Sequence, residues 1–176
     1  LPALRRCRYK PPTSRSKMIR TQFRIGFILA ALIAALDQAS KWWIVDTVMQ
    51  PPRIIPLTDF FNLVLGLNRG VSFGMLDMQS PMGPWILAGL ALTITAALLV
   101  WMWRANKLLV TGALGLIVGG AVGNVIDRVL WGAVVDFLDF HWAGYHWPAF
   151  TVADIAITCG AAALIWDSFF GEHEES

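Results

Sequence analysis

The sequence predicts a mainly α membrane protein: four transmembrane helices, with a small extracytoplasmic β-like segment between helices 1 and 2. Three observations carry that prediction. Apolar residues make up 56% of the 176 and mean hydropathy is +0.57, too apolar for a soluble domain of this size, so lipid is the expected solvent. Four apolar runs approach or exceed the roughly 20 residues that cross a bilayer. Finally, Arg5, Arg6, Arg8, Lys10, Arg15, Lys17, Arg20 and Arg24 crowd the entry to the first run with no acid among them.

The basic segment, residues 1–22, reads as a disordered cytoplasmic tail, since Pro2, Pro11, Pro12 and scattered Ser and Arg offer no core-forming pattern. Met18 is a candidate start, which would make residues 1–17 an upstream extension. A short tail placed directly before a span is a membrane anchor rather than a nucleic-acid arm, so no nucleic-acid partner is expected. Cys7 falls in the tail and Cys159 in the last apolar run. No disulfide between them is expected, and Cys159 is expected to pack as a small apolar residue.

The membrane domain covers residues 23–170. Its first span, about 23–48, is interrupted by Asp37, Gln38, Ser40, Lys41 and Asp46, all in the second half. It is longer than a signal-peptide core and lacks a small-residue cleavage site. The second, about 85–103, is unbroken, with Trp at both ends as an aromatic belt requires. The third, about 108–126, contains Gly112, Gly115, Gly119, Gly120 and Gly123, which let membrane helices approach closely. The fourth, about 152–170, precedes a short cytoplasmic tail, 171–176. An even number of spans puts both termini on one side, and the basic tail together with Arg104 and Lys107 makes that side the cytoplasm. Residues 49–83 and 128–150 are then external. Alternation from Phe61 to Leu67, among Pro51, Pro52, Pro56, Gly66 and Gly70, predicts a hairpin or small sheet lying on the membrane.

An ionisable residue at the centre of a span costs roughly 2.5 kcal/mol or more, so depth is the informative quantity. At about 1.5 Å per residue, Asp37 lies roughly 18–20 Å beyond Arg24, in the outer half of its helix. Asp127 ends the third span, Asp154 opens the fourth from outside, and Asp136 sits in the link between them. Four carboxylates from four stretches thus reach one level near the outer interface, and only Asp167 belongs to the inner one. Each acid alone has a plain structural explanation. Asp37 and Lys41, at i and i+4, can pair; Arg128 can neutralise Asp127; Asp154 suits the first turn of a helix. Asp136 has less excuse, because Val134, Val135, Phe137 and Leu138 around it would desolvate it and raise its pKa. Asp139, equally external, serves as an ordinary acid for comparison.

Other catalytic sets are thin. There is no H-E-x-x-H, His141 and His146 are wrongly spaced for one helical face, and no metal is expected. No G-x-S-x-G elbow is present, and neither Ser40 nor Ser72 has an obvious base. Gly119, Gly120, Gly123 and Asn124 lack the Lys of a phosphate loop, so helix packing is the better reading.

Five blocks in order resemble lipoprotein signal peptidase (signal peptidase II), an aspartic peptidase family. They are Asp37-Gln38-Ala39-Ser40-Lys41, Asn68-Arg69-Gly70-Val71-Ser72-Phe73, Gly119 to Arg128, Val134-Val135-Asp136-Phe137, and Pro148 to Asp154. The resemblance implies that Asp136 and Asp154 are a catalytic dyad, with Asp37, Lys41, Asn68, Gly70, Asn124, Asp127, Arg128 and Thr151 as a supporting or substrate-binding polar shell. It implies cleavage of diacylglyceryl-modified prolipoproteins just before the lipidated cysteine, at the outer face of the bacterial inner membrane. Two aspartates sharing one proton need no cofactor. Substrate and membrane lipids are the expected partners, and a monomer the expected state. Where the family usually has Asn, this chain has Thr151, which keeps a hydroxyl but loses the amide's donors. The alternative from another class is a small proton- or ion-coupled transporter, because intramembrane Asp and Lys also mark ion paths. One-sided clustering of the acids and the lack of an internal repeat speak against it.

Overall fold

Helix α1 runs Ser14–Trp43 and continues as a π-helical turn, Ile44–Val48. The structure is a computed structural model that describes residues 14–70 and 82–171. Part of the basic segment expected as disordered tail is thus helical from Ser14. Arg15 to Arg24 contain neither Pro nor Gly, so nothing stops the apolar helix from propagating backwards. Helix α2 is Gly83–Arg104, with Pro84 in its first turn. Helix α3, Leu108–Trp131, continues past Ile126 and carries Asp127 and Arg128 as helical residues; Gly132, at φ +66°, ends it in the left-handed conformation. Helix α4 is Val152–Phe170. All four are long and apolar enough to cross a membrane.

Helix α3 is the centre of the bundle: half of its apolar window is buried, against 17–22% for the other three. Its glycines are the contact points. A Cβ at Gly119 would meet the Ala30 carbonyl of α1 at 2.6 Å, and one at Gly120 would collide with the Ala153 carbonyl of α4. The glycine run is therefore helix packing and not a phosphate loop. The start of α1, the end of α2, the start of α3 and the end of α4 share one end of the bundle. There Gly26 lies against Met102 and Thr111, and Lys107 pairs with Asp167 at 3.3 Å.

The opposite end carries a four-stranded antiparallel sheet in the order β1-β2-β3-β4: Ile55–Thr58, Phe61–Asn68, Val134–Trp142 and Tyr145–His146. The hairpin around Phe61 to Leu67 is present, but its main partner comes from the other external link. Strand β3 pairs along β2 from Phe61↔Phe140 to Asn68↔Val134. Buried Ile44, Met49 and Phe137 weld the sheet to the helices. Two further hydrogen bonds between Leu138 and Phe150, each 3.0 Å, lay the chain before α4 against β3. That contact brings the N-terminus of α4 beside Asp136.

Candidate active site

The acids at the sheet end form two groups. The first surrounds Lys41, almost fully buried between α1 and α3. Its Nζ lies 2.6 Å from Asp37 Oδ2 and 2.7 Å from Asp127 Oδ2, and donates to Asn124 Oδ1 at 3.4 Å, which uses all three ammonium protons. Asp37 and Asp127 have no exposure at all. Asp37 Oδ1 accepts from Thr151 Oγ1 at 2.6 Å and from the Ala153 amide at 2.9 Å; Asp127 accepts from Gln38 Nε2 at 2.7 Å and the Val135 amide at 3.0 Å. One cluster therefore ties α1, α3, β3 and α4 together. Gly123 leaves room for it, since a Cβ there would stand 2.5 Å from Asp37 Oδ2.

The second group is Asp136 and Asp154. Asp136, on β3 opposite Gly66, is buried; its Oδ2 accepts from Asn68 Nδ2 at 3.1 Å. The Asn68 amide is itself oriented by Gly70, whose N–H donates to Asn68 Oδ1 at 3.1 Å. Asp136 Oδ1 is buried with no hydrogen-bond partner among the described residues. Burial, and then the Asp154 charge, push the Asp136 carboxyl up to about 7. Asp154 stands in the first turn of α4, held by a reciprocal cap: its Oδ2 accepts the Thr151 N–H at 2.9 Å, while Thr151 Oγ1 accepts the Ala153 N–H at 2.9 Å. Its Oδ1 accepts from Asn124 Nδ2 at 3.2 Å. Asn124 therefore touches both groups.

The expected Asp37–Lys41 pair exists, but Asp127 pairs with Lys41 and not with its neighbour Arg128. Arg128 Nη1 donates to the Asn124 carbonyl at 3.1 Å, and its charge acts on Asp127, Asp136 and Asp154. Asp139 is not an ordinary external acid: it is buried, accepting from Asn62 Nδ2 at 2.9 Å and lying 3.0 Å from His146 Nδ1. Cys159 does not pack inward but is exposed on the outer side of α4. Ser40 Oγ donates to the Asp37 carbonyl at 2.8 Å, a local helix bond. The sequence alone does not mark Gln38, Asn62 or His146 as site residues. Gln38 had a signal, a polar residue within a span at three positions from Lys41; the other two depend on strand pairing. Of the five sequence blocks, the Val71-Ser72-Phe73 part of the second lies outside the described residues, as does Cys7.

Fold and site together define a four-span membrane protein whose carboxylates meet where an antiparallel sheet caps the bundle. The signal peptidase (SPase) II family profile matches residues 29–170. The lipoprotein signal peptidase of Rhodopseudomonas palustris is 43% identical over 156 residues, covering 86% of this chain and 95% of its own length. That of Methylorubrum extorquens is 47% identical over 152 residues, covering 84% and 87%. A solved bacterial membrane enzyme superposes with a TM-score of 0.71 at 29% identity, covering 86% of this chain and 93% of that one. The chain belongs to the signal peptidase II family. That membership makes it an aspartic protease that processes lipoprotein signal peptides, a multi-pass protein of the bacterial inner membrane, and it displaces the transporter alternative.

Proposed function

We propose that Asp136 and Asp154 are the catalytic dyad, and that the enzyme cuts a prolipoprotein before its diacylglyceryl-modified cysteine. The observation that carries this reading is Asp136 Oδ1, a buried carboxylate oxygen without a partner among the described residues, on a group whose pKa is raised to about 7 beside a second acid. Such a group is protonated in a large share of the molecules at neutral pH and has an atom free to present the proton. Asp136 then hydrogen-bonds the scissile carbonyl. Asp154, whose oxygens each accept an N–H, takes a proton from the attacking water. When the C–N bond breaks, the proton passes to the leaving amine of the cysteine. Asn68 and Gly70 orient Asp136, Thr151 and Asn124 orient Asp154, and the Lys41 cluster with Arg128 holds the two elements in place.

The basic residues near α1 together with Arg104 and Lys107 support cytoplasmic termini, so the sheet and the dyad face outward, at the depth where a lipidated cysteine lies. Cleavage of a lipidated prolipoprotein in liposomes tests the activity. Reporter fusions test the orientation: Lys107 and a position after Phe170 should read cytoplasmic, and Gly144 and a site near Gln79 external. An external signal at Lys107 would reverse it.

A further inference from the structure

We infer that the groove on the outward face of α4 beside Asp154 is the subsite for one acyl chain of the lipidated substrate; the inference rests on the dyad reading. The groove has a volume of about 500 Å³. Trp147 and Phe150 line it ahead of the helix, and Asp154, Ile155, Thr158 and Cys159 line it along the helix. Positions 154 and 158, like 155 and 159, are one turn apart, so these side chains form a continuous stripe. Ile155, Thr158 and Cys159 are exposed, and the groove therefore opens sideways from the bundle, toward lipid. It descends about 7.5 Å along α4 from Asp154 to Cys159.

Shape and polarity select the occupant. A signal-peptide helix is about 10–12 Å across, so 500 Å³ would hold only about one turn of it. An extended peptide is thin enough, but it brings an N–H and a C=O at every residue. Along the helix, the lining side chains that carry polar atoms are Asp154, Thr158 and the weakly bonding thiol of Cys159. A hydrocarbon chain makes no such demand. Bulk lipid is as apolar as the groove, so what the groove adds is position: a chain laid along α4 fixes the attached cysteine, and hence the bond before it, against Asp154.

Cys159 reports occupancy directly. In a Cys7→Ser, Asp136→Asn protein in nanodiscs it is the sole thiol and the substrate is not turned over. Its alkylation by a membrane-permeant maleimide should slow several-fold when a peptide bearing a dipalmitoylglyceryl cysteine is added. The same peptide with dibutyrylglyceryl cysteine should leave the rate unchanged. In the otherwise unaltered enzyme, Thr158→Phe, on an exposed helix face, should raise KM for the long-chain peptide by roughly tenfold and spare the short-chain one. Equal alkylation rates with both peptides, or with none, would overturn the subsite, whether because phospholipid already fills the groove or because the chain lies elsewhere. A dyad error shows itself separately, as peptide cleaved by the Asp136→Asn protein.

Discussion

Asp37 and Asp136 are both buried aspartates at the same end of the bundle, yet their surroundings are opposite. Asp37 accepts an ammonium, a hydroxyl and a backbone N–H, and shares its cation with Asp127. Asp136 accepts one amide on one oxygen and nothing among the described residues on the other. A buried charge is tolerated when its lone pairs are met, and such an acid is structure. One left half-met keeps its proton and is available for chemistry. Burial alone does not separate the two roles; partner count does.

The widest separation is expected from removing each carboxylate in turn. Asp136→Asn and Asp154→Asn should accumulate normally and lose roughly 10²–10⁴-fold in cleavage rate, the usual worth of a positioned acid or base. The double variant should be scarcely worse than either single one, because the residues act as a unit. Near-parental cleavage by Asp136→Asn, with Asp127→Asn inactive, would exchange the two classes.

Lys41→Met attacks the other side. It leaves two buried acids facing each other without their cation, a loss of about 3–5 kcal/mol, seen as poor accumulation and a lower unfolding temperature in detergent. The molecules that do fold should still cleave. A stable but inactive Lys41→Met protein would show that the cluster takes part in the reaction.

Much of this division was legible in the sequence, and the reasons differ by element. The spans follow from composition, because lipid tolerates only long apolar helices, and the Asp37–Lys41 pair follows from helical spacing. The depth of the four acids could be counted along the chain. What could not be read was the pairing of β2 with β3, since the two strands are separated by two helices and no local pattern records their register. That pairing buries Asp136, and with the hairpin beyond it gives Asp139 its partners Asn62 and His146. For the same reason the sequence points Asp127 to its neighbour Arg128 and not to Lys41, which reaches it from another helix.

Thr151 tests the join between the two groups, for its hydroxyl donates to Asp37 while capping the helix that holds Asp154. Thr151→Val should cost about 1 kcal/mol or somewhat more in stability, the value of a lost cap, and slow cleavage by misplacing Asp154. Thr151→Asn, which can both donate and accept, should be tolerated. A fully active Val variant would confine the residue to packing. Asp136 adds a test by pH. Its raised pKa means that the folded protein holds the proton more tightly than the unfolded chain, so this stabilisation is complete below the unfolded value and lost as pH rises through about 7. Asp136→Asn should therefore unfold at a higher temperature than the parent above pH 7, with the gap closing in acid. A gap that is constant with pH would mean that Asp136 is not the group that titrates.

The smallest effect is expected at Asp139, and it is the sharpest check on counting partners. This acid lies on the same strand as Asp136 and is as little exposed, at 5% against 4%, although its carboxyl lies much nearer the protein surface. Burial pushes its pKa up, but hydrogen bonds from Asn62 and then His146 outweigh that and hold the carboxyl below the usual range. It is therefore ionised at neutral pH and belongs with Asp37. Asp139→Asn keeps one accepting oxygen, turns the other into an NH2 donor and loses the charge, so cleavage should be largely retained and stability should fall by about 1 kcal/mol. The sign of the pH dependence is the reverse of that at Asp136: a depressed pKa contributes stability above the unfolded value of about 3.9, and the contribution is lost as pH falls through the folded one. The parent should thus outlast the variant at neutral pH, and their unfolding temperatures should converge in acid. If Asp139→Asn instead abolished cleavage as completely as Asp136→Asn, a saturated acid would be doing chemistry, and the distinction drawn from hydrogen-bond partners would fail.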